Sequence, residues 1–146
     1  MTEIRCPFCN PAIVASTIAE STTMRALYNI APMLPGHCLV IPRRHVRHLA
    51  DLSSEEGAAL WEMAAQVANA AMRLYGGTGF DLSLQEGAAA GQTVPHLHLH
   101  VIPRHEGDLT GRDWHSVLID SVSRPPLTPE EMALQVTRLR RALAAR

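Results

Sequence analysis

The spacing of apolar residues changes along the chain, and in the first half it predicts one long helix. From Leu52 onward, apolar residues recur at intervals of three or four, as on one face of an α-helix. Ser53 followed by Glu56 has the form of a capping box, and the pair Gly76 and Gly77 ends the segment. The apolar positions are Leu60, Met63, Val67, Ala71 and Leu74.

A second helix is predicted over residues 128–145. Thr128 and Glu131 have the spacing of another capping box, and Pro129 suits the first helical turn. Several arginines follow toward the end, where the helix dipole favours cations. The apolar stripe consists of Met132, Val136, Leu139 and Leu143.

Elsewhere apolar and polar residues alternate with the period of a β-strand, or form short apolar runs between turn-forming residues. The predicted order is strand, strand, helix, strand, strand, helix. Neighbouring strands joined by short loops predict an antiparallel sheet with the helices on one face, which is an α+β fold. Pro103 is expected to end the last strand. The strands are predicted at residues 24–29, 38–41, 80–85 and 95–101.

The 146 residues suit a single domain, in which 1–12 is an N-terminal segment with a cysteine pair and 104–126 an irregular surface loop. We expect that loop to take part in a site or a subunit contact. A net charge of −1 without a basic stripe argues against nucleic acid as a partner. No apolar run approaches the roughly 20 residues of a membrane span. Three cysteines without a secretion signal predict a cytoplasmic protein.

The composition limits the chemistry that the chain can perform. All 13 basic residues are arginine, so no Schiff-base lysine, pyridoxal-phosphate anchor or P-loop lysine is present. Histidine, in contrast, occurs eight times. Cationic contact to a substrate must therefore come from arginine, histidine, backbone N–H groups or a metal ion, and we expect an anionic substrate to arrive as a Mg²⁺ complex.

Three histidines occupy alternate positions of the last predicted strand. His96, His98 and His100 therefore share one face, while the apolar residues between them point to the core. The outer two lie roughly 13 Å apart along a strand, too far for all three to bind one metal ion. A neutral imidazole is a nucleophile for phosphorus. We therefore expect His98, the middle ring, to attack a phosphoryl group that its neighbours hold.

The pattern His-φ-His-φ-His-φ-φ at 96–102, where φ is apolar, resembles the histidine triad superfamily of nucleotide hydrolases and transferases. Residues 85–87 and 91–96, together with Asn29 and the pair Gly36-His37, are most similar to its fragile-histidine-triad branch, whose members hydrolyse dinucleoside polyphosphates. The resemblance covers residues 5 to about 108. It implies a histidine triad fold with about five antiparallel strands, a long central helix and a C-terminal helix.

The resemblance also implies a mechanism. His98 would attack the α-phosphorus of a substrate of the diadenosine tri- or tetraphosphate type, and water would hydrolyse the nucleotidyl-histidine to release a nucleoside monophosphate. His96 would flank the site, and His37 would support the triad from the adjacent strand. Asn29 would contact the ribose. The residues implied to contact the nucleotide are Asn29, His37, Gln85, Gln92 and His100, of which Gln92 and His100 would hold phosphate oxygens.

The pair Cys6 and Cys9 is spaced like half of a zinc site, although such a pair is also found in redox motifs or by accident. In the superfamily this pair binds zinc together with a histidine after the second strand and the first histidine of the triad. The resemblance thus implies a structural zinc site of Cys6, Cys9, His45 and His96, with His48 as the competitor of His45. Cys38, inside an apolar strand, is expected to be a core residue.

Other functions remain open at this stage. The same superfamily includes adenosine 5′-phosphoramidate hydrolases, and a phosphorylase would use phosphate in place of water. From another class, the chain could be a nucleotide- or zinc-binding module without a physiological reaction. The resemblance further implies a homodimer that extends the sheet across the two-fold axis.

Overall fold

The computed structural model describes residues 5–145, and these form an antiparallel sheet with its two long helices on one face. The five strands have the order β1-β2-β3-β5-β4, and every neighbouring pair is antiparallel. This confirms the predicted α+β architecture. The strands are β1 (Thr17–Glu20), β2 (Met24–Tyr28), β3 (Cys38–Pro42), β4 (Gly79–Leu84) and β5 (Leu99–Arg104), and the helices are α1 (Ser54–Tyr75), α2 (Trp114–Ile119) and α3 (Pro129–Ala144).

The main core lies between the sheet and the two long helices. The apolar stripes of α1 and α3 pack on alternate residues of β2, β3 and β5, including Cys38, whose core position is confirmed. The opposite face of the sheet carries a smaller cluster, in which Phe8 and Ile13 of the N-terminal segment pack on Leu27 and Leu39. His100 pairs with Leu39 across the ladder and therefore belongs to this second face. The helices thus build the core, while the N-terminal segment covers the histidine face.

The ends of the helices follow from their caps. The Ser53 hydroxyl accepts a hydrogen bond from the Glu56 N–H, and the Glu56 carboxylate accepts one from the Ser53 N–H, so the predicted capping box is present. Gly76 ends α1 with φ 76°, a left-handed conformation that glycine adopts without a Cβ penalty. At α3, the Thr128 hydroxyl accepts from the Glu131 N–H. These local signals place the long helices that support the sheet.

The last strand differs from its prediction at both ends. β5 begins at Leu99, so His96 and His98 precede the regular strand. At the other end it continues through Pro103 to Arg104. Pro103 is tolerated because β3 pairs only with residues up to Val101, which leaves the missing N–H of proline on an unpaired side. The short strand β1 is not among the predicted strands, because four residues are too few to show a period.

The segment 104–126 is not irregular throughout. It contains α2, whose N-terminus is capped by the Asp113 side chain, and a 3₁₀ turn at Ser121–Ser123. Leu109 and Leu118 are buried against Met33 and Ile102, so the segment has its own small core. A six-residue helix carries too few turns for a recognisable apolar stripe, which explains why the sequence predicts a loop. Within residues 5–145, no helix has the length and apolarity needed to cross a membrane.

A tight turn between β2 and β3 delivers His37 to the sheet and depends on Gly36. This residue has φ 92°, and a Cβ built on it would lie 2.7 Å from both Pro103 Cγ and Tyr75 Cδ2. We predict that Gly36→Ala lowers the free energy of unfolding by about 2–4 kcal/mol, because it combines backbone strain with overpacking. Urea unfolding measures the change.

Gly57 is the matched control, since it lies in α1 and a Cβ added there would meet nothing within 4 Å. Gly57→Ala should raise the free energy of unfolding by about 0.5–1 kcal/mol through helix propensity. Equal effects at Gly36 and Gly57 would contradict the argument.

Candidate active site and metal centre

The protonation of the His98 ring is fixed by one backbone contact. His98 Nδ1 lies 2.7 Å from the carbonyl oxygen of His96, and because a carbonyl only accepts, Nδ1 carries the proton. Burial lowers the pKa of His98 below its ordinary value, which the hydrogen bond to His96 partly opposes. The ring is therefore neutral near pH 7, and Nε2 carries a lone pair. This is the tautomer that a nucleophilic imidazole requires.

His100 is oriented by His37 through a second defined contact. The Met33 N–H donates to His37 Nδ1, so a neutral His37 carries its proton on Nε2. That nitrogen lies 2.9 Å from His100 Nδ1, which must accept. His100 consequently carries its own proton on Nε2 and can donate it to a ligand. His37 thus contacts a ring of the triad, but it is fully buried and does not line the cavity, so the structure does not bring it to the place of a nucleotide contact.

Both rings of this pair are held neutral. Burial, with the fields of His98 and Arg124, lowers the pKa of His100 to about 3. Burial, together with the neighbouring His100, also lowers the pKa of His37 well below its ordinary value. The pair therefore offers a hydrogen bond and no charge.

A cavity of about 660 Å³ opens beside the rings. This volume falls within the range of small-molecule and cofactor sites, and most of its lining is apolar with a few polar groups. Its walls come from the N-terminal segment, the ends of β2 and β3, the loop before the triad, and the chain between α2 and α3. Asn29, Gln85, His98 and His100 all line it, as expected for a common site.

Asn29 and Gln92, two of the amide side chains implied to contact the nucleotide, differ in their surroundings. Asn29 lines the cavity, its Oδ1 accepts from the Ala31 N–H, and its Nδ2 lies 3.3 Å from His37 Nε2, so the amide is held between the turn after β2 and the His37–His100 pair. Gln92, in contrast, is not among the cavity-lining residues. Its Oε1 accepts from the Gly87 N–H and its Nε2 donates to the Val94 carbonyl, so the side chain stabilises its own loop.

Four metal-ligating side chains meet at the other end of the triad. One ligand atom from each of Cys6, Cys9, His45 and His96 lies within 4.8 Å of the others. Three sulfur-to-nitrogen distances are 3.3–3.6 Å, close to the roughly 3.5 Å edge of a tetrahedron built with zinc bond lengths. Two thiolates and two imidazoles are a common donor set of structural zinc sites. The residues therefore fit a zinc ion.

His96 joins this cluster to the nucleophile. Its Nε2 donates to the Pro42 carbonyl at 2.8 Å, which leaves Nδ1 as the nitrogen that faces the sulfurs. Its backbone oxygen is the acceptor for His98. His48 lies outside the cluster, exposed and paired with Glu86 at 3.4 Å. Between the two histidines that the sequence leaves open as the fourth ligand, the structure brings His45 to the cysteines.

Two cavity residues are missed by the sequence reasoning. Phe8 packs edge-on against the rings of His96 and His98, with centroids 5.5 and 5.3 Å away. Its position between Cys6 and Cys9 is the signal that could have found it, because those cysteines must reach His96. Arg124 also lines the cavity, but its segment shows no motif in the sequence.

Comparison with known proteins decides the family. The sequence model of the HIT domain matches residues 10–107. The chain belongs to the HIT domain family. A zinc-bound histidine triad family protein from Mycobacterium smegmatis shares this HIT fold with a TM-score of 0.75 and 31% identity, over 99% of this chain and 96% of that one.

Two HIT relatives are enzymes by name. A bis(5'-adenosyl)-triphosphatase of Dictyostelium discoideum is 39% identical over 115 residues, which are 79% of this chain and 76% of the relative. A bifunctional bis(5'-adenosyl)-triphosphatase/adenylylsulfatase of Arabidopsis thaliana is 41% identical over 88 residues, 60% of this chain. The chain spans about half of the Arabidopsis protein, at 49%.

The metal cluster predicts a difference between two neighbouring histidines. His45→Ala should weaken zinc binding by about 100-fold or more, because it removes a ligand. Substitutions outside the ligand set lower the affinity for zinc by less. His48→Ala should bind zinc like the unmodified protein. Native mass spectrometry after equilibration with a zinc buffer measures both. Retention of zinc by His45→Ala, or its loss in His48→Ala, would show that the ligand set is wrong.

The buried rings predict a pH-dependent stability. The pKa of His100 is about 3 in the folded state against an ordinary 6.5, so the unfolded chain takes up the proton first. The stabilisation that the neutral His100 ring contributes to the fold is complete above about pH 6.5 and is lost as the pH falls toward 3. In His100→Asn, the slope of unfolding free energy near pH 5 should fall by about 1.4 kcal/mol per pH unit. Urea unfolding across this pH range measures the slope.

Carboxylates affect the stability in a lower pH range than the buried histidines do. The hydrogen bond with Arg44, for example, lowers the pKa of Glu56 from 4.5 to about 2, so protonation of Glu56 destabilises the fold only below about pH 4.5. Exposed His115 supplies the control, and His115→Asn should leave the slope near pH 5 unchanged. An unchanged slope in His100→Asn would argue against a neutral buried His100.

Proposed function

We propose that this HIT chain hydrolyses a dinucleoside polyphosphate of the diadenosine tri- or tetraphosphate type at the α-phosphorus. The observation that carries the proposal is the neutral His98 ring, with Nδ1 bonded to the His96 carbonyl and Nε2 left as a nucleophile beside a cavity of nucleotide size. The names of the Dictyostelium and Arabidopsis relatives support the substrate class.

In the first step, His98 Nε2 donates its lone pair to the α-phosphorus. A phosphorus–nitrogen bond forms, the bridging phosphorus–oxygen bond breaks, and the remaining nucleoside polyphosphate leaves with that electron pair. The ring becomes cationic, and its Nδ1–H remains bonded to the His96 carbonyl, which stabilises the positive charge. In the second step, water attacks the same phosphorus, the bond to nitrogen breaks, and a nucleoside monophosphate is released.

The neighbouring groups hold the substrate without charge. His100 Nε2–H donates to a non-bridging phosphate oxygen, and the bond from His37 keeps the ring from turning away. Asn29 Nδ2 donates to the ribose, and Gln85 contacts the ribose or a phosphate from the same cavity. Gln92 does not itself line the cavity, but its neighbours Gly91 and Thr93 do, and we propose that Gln92 reaches a phosphate from this rim through its second Nε2 hydrogen, since Val94 takes only one.

The proposal includes a structural zinc held by Cys6, Cys9, His45 and His96, which fixes the N-terminal segment against the sheet. Mg²⁺ is proposed to accompany the substrate, bound mainly by phosphate oxygens and water. A homodimer across the open edge strand β4 and a cytoplasmic location complete it. The three cysteines form no disulfide, in keeping with a reducing compartment.

Removal of the nucleophile tests the reaction. With diadenosine triphosphate and Mg²⁺, we predict that His98→Ala lowers kcat by at least about 10³-fold, because covalent catalysis is lost. In the unmodified protein, an alkaline quench with labelled substrate should trap a nucleotidyl adduct on His98, visible by mass spectrometry. His48→Ala, which changes a histidine outside the cavity, should keep full activity.

Unchanged turnover in His98→Ala would contradict the covalent mechanism. Product analysis with added phosphate separates a hydrolase from a phosphorylase, because the latter transfers the nucleotide to phosphate and forms a nucleoside diphosphate. Faster cleavage of an adenosine 5′-phosphoramidate than of the dinucleotide would make the phosphoramidate hydrolase the better description. Nucleotide binding with no turnover above that of His98→Ala would leave only a binding module.

A further inference from the structure

The cavity is nearly free of charge, and its single exception is Arg124. Among the cavity-lining residues of the described chain, Arg124 is the only arginine, none is aspartate or glutamate, and the sequence contains no lysine. The other polar lining groups are hydroxyls, amides and the imidazoles of His98 and His100. Any anion that enters the cavity therefore meets one full positive charge.

Arg124 is held firmly by three backbone carbonyls. Its Nε donates to the Ala31 oxygen at 2.7 Å, and its Nη1 donates to the oxygens of Val117 and Leu118 at 2.6 and 3.0 Å. These contacts join the end of α2 to the turn after β2. A guanidinium has five N–H donors, so the two on Nη2 remain. No hydrogen bond within residues 5–145 uses them.

The chain around Arg124 is fixed against the triad loop as well. Gly91 packs so closely on α2 that a Cβ would lie 2.6 Å from Ile119 Cγ2. The Leu127 N–H also donates to the Ile30 carbonyl at 2.7 Å. The segment is thus a wall of the cavity that touches both the triad loop and the turn after Asn29.

No carboxylate forms an ion pair with this guanidinium in the described chain. The charge of Asp120 raises the pKa of Arg124, but the Asp120 side chain caps a 3₁₀ turn. A partly buried cation that bonds only to neutral carbonyls loses water without gaining a counter-charge. Burial accordingly lowers the pKa of Arg124 below its ordinary value, though the residue remains ionised near neutral pH. An anionic ligand would supply the missing counter-charge.

The position of Arg124 relative to the triad also follows from the electrostatics. Its field lowers the pKa of His100 and of His37, and Ala31, which it holds, is also bonded to the Asn29 side chain. Arg124 therefore lies on the His100 side of the cavity, beside the proposed ribose contact.

We propose that the Nη2 group of Arg124 binds a phosphate group of the nucleotide on the His100 side of the cavity. This inference rests on the proposed function, because that function supplies the phosphate. A guanidinium suits a phosphate oxygen better than a neutral imidazole does, since the hydrogen bond carries charge on both partners. In a chain without lysine, Arg124 supplies the cationic contact to the substrate, while His98 performs the covalent step.

The alternative is that Arg124 only holds α2 against the turn after β2. The two roles separate when ligands with and without phosphate are compared. Isothermal titration with adenosine, AMP and ADP tests this, because AMP and ADP are the products that the proposed hydrolysis of diadenosine triphosphate would release, and adenosine lacks phosphate. We expect Arg124→Gln to weaken AMP or ADP binding by about 10- to 100-fold and to change adenosine binding by less than about twofold. Arg124→Lys should recover part of the loss, since it keeps the charge but not the fork.

Arg140→Gln is the matched control. Arg140 also clamps a backbone carbonyl, that of Thr17, with Nε and Nη2, but it does not line the cavity. Its variant should bind all three ligands like the unmodified protein. Equal losses for adenosine and the phosphate-bearing ligands in Arg124→Gln, or no loss for any of them, would overturn the proposal.

Failure here and failure of the proposed function give different results. If Arg124→Gln loses AMP or ADP binding but the unmodified protein does not cleave diadenosine triphosphate, the anion contact stands and the hydrolase is wrong. If hydrolysis depends on His98 while nucleotide binding is indifferent to Arg124, the hydrolase stands and the anion contact is wrong.

Discussion

The site depends on one hydrogen bond, from His98 Nδ1 to the carbonyl oxygen of His96. The other tautomer would direct a lone pair at that oxygen and leave a buried acceptor unpaired, which costs about 1–3 kcal/mol. The carbonyl is held in place on both sides of its peptide. The His96 ring bonds to Pro42, and the Leu97 N–H donates to the Val46 oxygen at 2.7 Å. The chain after β3 thus determines which nitrogen of His98 carries the lone pair.

The aromatic rings around this bond form a continuous row across the sheet face. Neighbouring centroids lie 5.0–5.5 Å apart, so each ring contacts the next. At one end of the row His45 contacts Cys9, and at the other end His37 accepts a hydrogen bond from a backbone N–H. The rings between them therefore have fixed partners. Such preorganisation suits a site whose groups are neutral, because alignment must supply what charge does not. The rings in order are His45, His96, Phe8, His98, His100 and His37.

Short-range sequence signals predicted the elements whose structure depends on residues close together in the chain. The caps of α1, the apolar stripe of α3 and the alternation around the triad all depend on residues a few positions apart. The cavity wall around Arg124 does not, since its position follows from carbonyls of Ala31 and Leu118 that only the folded chain brings together. The family resemblance named four metal ligands that now lie in one cluster, although periodicity alone gave no reason to choose His45 over His48. For Gln92, the residue type suits a phosphate contact, but the structure shows two hydrogen bonds from its side chain that stabilise its own loop.

The contact between Cys6 and His96 joins residues 90 positions apart, and it lies on the face of the sheet opposite α1 and α3. During synthesis, Cys6 and Cys9 emerge before His45, and His96 follows only after four of the five strands. The full set of four ligands is therefore available only once most of the sheet has been synthesised, and tight metal binding requires that late stage. A nascent chain that ends before the triad would hold three of the four metal ligands, Cys6, Cys9 and His45, and none of the reactive rings.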